Sequence, residues 1–221
     1  MKYHLLALVL FALLLSTGCT KESLSGEQIT GSGKIVSQER SLTGFTGVAV
    51  SGIAHVIITQ GDNESVRVET DDNIIDRVET SVSASVLNIA LEKGSYSGIK
   101  VTVYVTMKQI TSLTCDGTAD FTTTGQIQTD AISIKIRGTG NASLSGTAKT
   151  ESIDIAGTGN IHGFGLASTD CSVRIAGSGN AEVNVAHQLD VSISGVGNVS
   201  YSGDPSIVNK TIAGVGSVTK K

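Results

Sequence analysis

Four copies of the motif Gly-X-Gly-Asn are the part of this sequence in which residue type and spacing most suggest binding chemistry. Glycine-rich loops bind phosphate in dinucleotide-binding proteins, where Gly-x-Gly-x-x-Gly leads into a helix. In some solenoids they bind calcium through Gly-Gly-x-Gly-x-Asp. The calcium-binding aspartates are missing here. Gly163 lies one position beyond the dinucleotide spacing that starts at Gly157, and a strand is predicted to follow it.

We therefore interpret the motif as structural, forming a turn in each repeat. Its residues are Gly138, Gly140, Asn141, Gly157, Gly159, Asn160, Gly177, Gly179, Asn180, Gly195, Gly197 and Asn198, with a fifth copy that lacks asparagine at Gly214 and Gly216.

The other reactive side chains form no catalytic or metal-binding pattern. His55, His162 and His187 are scattered and lack the spacing of metal ligands. Charged residues recur at one outward position of successive repeats, where alternating signs are typical of surface pairing, namely Lys135, Asp154 and Arg174. We predict no catalytic residue, no metal site and no cofactor.

The motif is part of a longer repeat of about 19 residues that fills the second half of the chain. The first glycines of the five copies are separated by 19, 20, 18 and 19 residues, and a degenerate copy, Cys115–Asp120, precedes them. Before each copy, apolar and polar residues alternate, which indicates a strand with one buried face. The intervening segments are too short for a crossover helix, which needs about 10–12 residues. The sequence therefore predicts an all-β fold, a parallel β-helix or solenoid, with a less regular β-rich front half.

Each motif is expected to form a corner of the coil. Glycine would supply a backbone angle φ above zero there, and asparagine tolerates the same region. Stacked in register, the asparagines would form a hydrogen-bonded ladder along the corner. Asp120 and Ser217 replace asparagine in the two end copies.

The same register places two cysteines in the core. Cys171 lies three coils beyond Cys115 and four residues away along the strand, which is too far for the Cα separation of about 7 Å that a disulfide allows. We predict that both stay unpaired and behave as small core hydrophobes. Cys115 shares an inward position with Ile136, Ile155, Ile175, Ile193 and Ile212, and Cys171 shares another with Ile132, Leu189 and Val208.

The N-terminus is typical of a bacterial lipoprotein. The apolar run Leu5–Leu15 has the length of a signal peptide and falls short of the ~20 residues that span a bilayer. The sequence Leu-Ser-Thr-Gly-Cys that ends at Cys19 is similar to a lipobox, in which the cysteine is diacylated. We predict a signal peptide over residues 1–18, a lipidated Cys19 that begins a flexible tether over 19–43, and a single solenoid domain over 44–221.

Charge and composition narrow the class of partner. The chain has 16 basic and 20 acidic residues, a net charge of −4, and no basic cluster, which argues against nucleic acid. Aromatic residues make up 4% of the chain, few for the sugar platforms expected of a carbohydrate-active enzyme.

The front half contains strand-like stretches and one predicted short helix over Asp71–Val78. Its run Phe45–Gly61, with Val66–Thr70 and Leu87–Ile89, resembles the opening of the head GIN domain family of autotransporter adhesins. The glycine–asparagine repeats resemble the body of that domain, so that the resemblance covers residues 44–203. It implies a β-solenoid exposed at the bacterial cell envelope and assigns no binding residue.

These observations predict a non-enzymatic lipoprotein of the cell envelope, held in the outer rather than the inner membrane through Cys19. Its solenoid face would serve binding, adhesion or scaffolding, with an envelope protein or a glycan as partner. The alternative is a carbohydrate-active β-helix enzyme of the lyase or hydrolase kind. The oligomeric state is left open.

Replacing Cys19 with serine tests the lipid anchor. Each buried CH₂ of an acyl chain contributes about 0.8 kcal/mol, so several chains make an essentially permanent anchor. We expect the Cys19→Ser variant to move from the membrane pellet to the soluble fraction when cells are fractionated. If the variant stays in the pellet like the wild type, the cysteine is not the anchor.

Overall fold

The computed structural model of the chain describes residues 28–221 and consists almost entirely of strands. The predicted signal peptide, Cys19 and the first part of the predicted tether lie outside the described residues. The strands are β1 (Gln28–Thr30), β2 (Ile35–Arg40), β3 (Gly47–Val50), β4 (Ile53–Gln60), β5 (Ser65–Asp71), β6 (Val78–Ser83), β7 (Val86–Leu91), β8 (Ser95–Ser97), β9 (Thr102–Met107), β10 (Ser112–Cys115), β11 (Thr118–Thr124), β12 (Ile127–Ile136), β13 (Thr139–Ile155), β14 (Thr158–Ile175), β15 (Ser178–Ile193), β16 (Val196–Ser202), β17 (Ile207–Ile212) and β18 (Val215–Lys220).

A single turn of 3-10 helix, Ile75–Arg77, stands where a longer helix was predicted. The helix is shorter because β5 extends through Asp71 and β6 already begins at Val78. Within the described residues, no helix is long and apolar enough to cross a membrane.

The strands stack in parallel, one above the other, along a solenoid axis. One stack runs β7–β3–β10–β12 and another runs β9–β4–β11. The long strands β13, β14 and β15 contribute a segment to both stacks, which end at β17 and β18. This is a β-solenoid of about five turns, so the predicted all-β solenoid is confirmed.

Side chains alternate between core and solvent along each coil, which is one turn of the solenoid. In β13 the inward positions run from Gly140 to Ala148, and they resume at Glu151 because Lys149 and Thr150 both face outward at a corner. The predicted inward column of Cys115 is confirmed, since successive pairings join it to Ile136, Ile155, Ile175, Ile193 and Ile212.

Both cysteines of the described region behave as predicted. Cys115 and Cys171 are buried and free. Burial is the main cause that raises the pKa of each thiol above its ordinary value, so both are protonated core groups.

The bends fall at the predicted glycines, but the predicted reason is wrong. The glycines with positive φ lie elsewhere, for example Gly125 and Gly146. At the bends the coils instead approach so closely that a Cβ on Gly157 would collide with the carbonyl oxygen of Gly138 one coil below. The second motif glycine is equally constrained, because a Cβ on Gly159 would meet the carbonyl oxygen of Gly140. Glycine is therefore required by close approach of backbone to backbone.

One end of the solenoid is closed by antiparallel strands, and part of the predicted tether belongs to this cap. The strand β2 pairs with β5 along its whole length, β5 pairs with β9, and β6 pairs with β7, all antiparallel. The tether prediction is thus wrong from Gln28 to Arg40. The strands there are mostly exposed. They join the cap through backbone pairing and polar contacts, such as the hydrogen bond from Gly33 N to Asp71 Oδ1 at 2.7 Å. Contacts of this kind need no alternating apolar side chains, so the sequence shows no strand periodicity in this segment.

A buried carboxyl group in the core is the feature that the sequence pattern missed most clearly. Glu151 lies between Ile132 and Cys171 in their inward column and is 2% exposed. Neither of its carboxylate oxygens has a hydrogen-bond partner among the described residues. Burial raises the pKa of Glu151 to about 7, while the neighbouring Cys171 and Ser168 side chains partly offset this rise.

Substituting a bend glycine tests the close stacking of the coils. The methyl group of Gly157→Ala would collide with backbone, which cannot rotate away as a side chain can. We expect a loss of about 1–3 kcal/mol in the free energy of unfolding, measured by urea denaturation. The adjacent exposed substitution, Thr158→Ala, is the control and should change stability by less than about 0.5 kcal/mol. Equal midpoints for the two variants would contradict the stacking argument.

Buried Glu151 predicts an unusual dependence of stability on pH. The unfolded chain ionises this group near pH 4.5, whereas the folded chain keeps it protonated until about pH 7. The free energy of unfolding should therefore fall as the pH rises between those values, by about 3 kcal/mol in total, and level off above them. Urea titrations of Glu151→Gln should lack this slope, whereas the exposed control Glu79→Gln should keep it. A slope that persists in Glu151→Gln would assign it to another group.

Candidate functional site

The predicted asparagine ladder exists and occupies the hydrogen-bonding groups of the motif. Asn141 Oδ1 accepts bonds from the backbone N and from Nδ2 of Asn160, both at 3.1 Å. In the same way, Asn160 Oδ1 accepts bonds from Asn180, and Asn180 Oδ1 accepts bonds from Asn198. Asp120 and Ser217 terminate the ladder as predicted. Because the amides bind one another, this corner is a structural element.

The other polar residues considered in the sequence are spread over the surface. Arg174 Nε lies 3.8 Å from Asp154 Oδ1, and Lys135 pairs in register with Asp154 one coil earlier, so the alternating outward column is confirmed. The histidines do not meet, since their partners are different residues in different places. His55 bonds Thr122, His162 lies beside Glu182, and His187 bonds Asp170.

A groove of about 1210 Å³ runs along the solenoid. It follows the corner at Lys149 and Thr150, where two successive residues face outward. The coils of β10, β12, β13, β14 and β15 all contribute to it. A surface that crosses several coils is suited to an extended ligand lying parallel to the solenoid axis.

Small hydroxyl side chains form the floor of this groove. Ser133 pairs in register with Ser152, and Ser152 pairs with Ser172, so that the three hydroxyl groups lie one above another, spaced by the ~4.8 Å between coils. Beside this serine column lies a second outward column that begins with Ala131 and Thr150. Short side chains at these positions leave the space that larger ones would fill.

Ion pairs and amides occupy the rim of the groove. Lys149 Nζ lies 2.6 Å from Asp130 Oδ1, and this carboxylate raises the pKa of Lys149 through a hydrogen bond and its charge. Asp170 Oδ1 is 2.7 Å from His187 Nδ1.

The two ends of the groove are likewise tied by hydrogen bonds. Asp190, at one end, accepts hydrogen bonds from Gln188 at 2.7 Å and Asn209 at 2.8 Å. At the other end, Gln60 Nε2 donates to the carbonyl oxygens of Lys108 and Gln128, each at 2.9 Å. The rim is therefore held in place and close to electrically neutral.

A smaller concavity of about 460 Å³ lies beside the asparagine ladder. Its most polar feature is the contact of His162 Nδ1 with Glu182 Oε2 at 3.3 Å. Because its amides already bond one another, it offers fewer free groups than the groove does.

Sequence reasoning did not find the groove, although one signal for it was available. Ser133, Ser152 and Ser172 recur at the spacing of the repeat, immediately before the isoleucines and valines of the core. That periodicity identifies an outward column of hydroxyl groups. The concavity of the corner depends on the double outward step at Lys149 and Thr150, which alternation alone does not predict.

Similar solved structures support the fold. A protein named a "putative adhesin" from Bacteroides fragilis NCTC 9343 has 20% identity and a TM-score of 0.70, with 87% of this chain and 100% of that chain covered. A "putative lipid binding protein" from Parabacteroides distasonis ATCC 8503 has 22% identity and a TM-score of 0.54, with coverages of 88% and 100%. A "putative adhesin" from Parabacteroides merdae ATCC 43184 has 16% identity and a TM-score of 0.51, with coverages of 88% and 99%.

At these identities the likeness establishes the fold alone. A search of the curated proteins found no match. The sequence profile of the family described as "Putative auto-transporter adhesin, head GIN domain" matches residues 44–205, which is most of the chain and agrees with the resemblance seen in the sequence. The chain therefore belongs to the head GIN domain family.

Proposed function

We propose that the chain is a non-enzymatic binding module of the bacterial cell envelope, which holds an extended ligand in its groove and serves adhesion or scaffolding. The observation that carries this proposal is the groove itself, which crosses successive coils and is floored by hydroxyl groups. The family and its solved relatives, named as adhesins, support a binding role.

The charges of the groove support binding without turnover. A lyase or hydrolase needs a carboxylate or base that is free to act on the substrate. Here Asp130 is paired with Lys149, Asp170 with His187, and Asp190 accepts two amide hydrogen bonds. Glu151, which lies behind the floor, is buried in the core. The carbohydrate-active enzyme is therefore the less supported alternative.

Lipidation at Cys19 would place the solenoid on the outer membrane with a defined orientation. Gln28 begins β1 nine residues after Cys19, and β2 follows in the antiparallel cap. The anchored end would thus be the capped end. The groove, which runs along the axis, would extend away from the membrane surface, where a ligand can reach it.

Filling the groove tests this function. Ala131 is exposed in the floor, and the Ala131→Trp variant places a large side chain there. We expect the Cys19→Ser chain to bind an envelope fraction of its own organism saturably in a plate assay. Adding Ala131→Trp should weaken this binding about tenfold, which corresponds to about 1.4 kcal/mol. The matched variant Thr158→Trp, exposed beside the ladder, should bind like the parent.

Two results would contradict the proposal. Equal binding by the Ala131→Trp and Thr158→Trp variants would exclude the groove as the binding surface. Release of new reducing ends or unsaturated sugars from a polysaccharide by the purified chain would show that it is an enzyme.

A further inference from the structure

The serine column contains hydroxyl groups that the fold itself does not use. Ser133, Ser152 and Ser172 all line the groove, and no hydrogen bond joins their Oγ atoms to another described residue. Some hydroxyl groups elsewhere in the solenoid are engaged, as where Ser217 Oγ donates to Asn198 at 2.8 Å. Others, such as those of Thr139, Thr158 and Ser178, have no such bond either, but they lie outside the groove. Each serine of the column can both donate and accept one further hydrogen bond.

We infer that the groove recognises a linear, uncharged polysaccharide lying parallel to the solenoid axis, with about one sugar unit for each coil. This inference rests on the binding function proposed above and specifies its ligand. Sugar hydroxyl groups, which also donate and accept, would bond the serine column, and the amides of Gln128 and Gln188 would contribute from the sides.

The repeat distance favours a sugar polymer over a peptide. Coils are stacked ~4.8 Å apart, whereas an extended peptide presents side chains to the same side every ~6.6 Å. A peptide therefore falls out of step with the serines after one coil. A β-1,4-linked sugar chain advances by a distance close to one coil per unit. Its rings turn about the chain axis, but each ring edge carries hydroxyl groups, so that Ser133, Ser152 and Ser172 can each meet one.

Charge favours a neutral ligand. The carboxylates of Asp130, Asp170 and Asp190 line the groove together with the ammonium groups of Lys108 and Lys149, and Lys149 is paired with Asp130. An anionic polymer, such as a uronic acid chain or a nucleic acid, would face a small excess of carboxylates over ammonium groups. A neutral chain meets no such cost.

The lining also predicts how affinity depends on ligand length. No aromatic side chain lines the groove, so each sugar is held by hydrogen bonds without a stacking platform. Binding should thus be weak for one unit and increase with each further coil engaged. Since the groove crosses the coils of β10, β12, β13, β14 and β15, the gain should end at about five units.

Titration calorimetry with the Cys19→Ser chain tests this. The probes are cello-, xylo- and malto-oligosaccharides of two to six units, with oligogalacturonate as the charged counterpart. We expect at least one neutral series to bind, with affinity rising up to about five units, and oligogalacturonate to bind at least tenfold more weakly. The triple variant S133A/S152A/S172A should lose about tenfold in affinity for the longest ligand.

A matched variant separates the serine column from a general loss of surface hydroxyl groups. T139A/T158A/S178A removes three outward hydroxyl groups that also stack in register, on the ladder side of the coils. It should bind like the parent. Equal affinities for both triple variants, stronger binding of oligogalacturonate, or no binding of any neutral series would overturn the inference.

The envelope assay distinguishes failure of this inference from failure of the binding function. If protease treatment of the envelope abolishes binding, and the Ala131→Trp variant still binds poorly, the groove recognises a protein and only the polysaccharide assignment falls. If Ala131→Trp binds the envelope as well as the parent, the groove function itself falls.

Discussion

Successive coils of this solenoid approach each other so closely at the bend that the carbonyl oxygen of one lies where the next would carry a Cβ. Gly138, Gly157 and Gly177 stack directly on one another in this way, and the second glycine of each motif repeats the contact two residues later. A residue with a side chain would force the coils apart. The repeated glycines therefore fix both the distance between coils and their register.

That register gives each coil three functions at once. Inward positions form a continuous core, the asparagines after the bend hydrogen-bond along the ladder, and the serines on another side form a column of free hydroxyl groups. Because side chains alternate with a period of two, a slip of one residue would exchange core and surface positions. The register that the glycines fix therefore determines the groove as well as the core. The polar groups of the groove are spaced by the distance between coils.

Much of this could be predicted from the sequence because the repeat is regular. The strands, the inward column of Cys115 and the ladder all follow from the spacing of glycines and from alternation. Prediction failed where a feature of the structure depends on residues that are distant in the sequence. The bend glycines are set by the neighbouring coil, the strand Ile35–Arg40 joins the cap through backbone pairing, and Glu151 occupies a position that the pattern assigns to an apolar residue. The concave corner at Lys149 and Thr150 was likewise missed, since it breaks the alternation.

The most direct test of the account is to map where a ligand contacts the solenoid. Backbone amide resonances of the isotopically labelled Cys19→Ser chain can be followed by NMR while the envelope polysaccharide or a neutral oligosaccharide is added. If the groove is the site, the largest shifts fall on residues 129–133, 147–152 and 169–172, which line it on successive coils. Shifts concentrated on the ladder side, around Asn160 and Asn180, or no shifts with any ligand that the chain binds, would contradict the account.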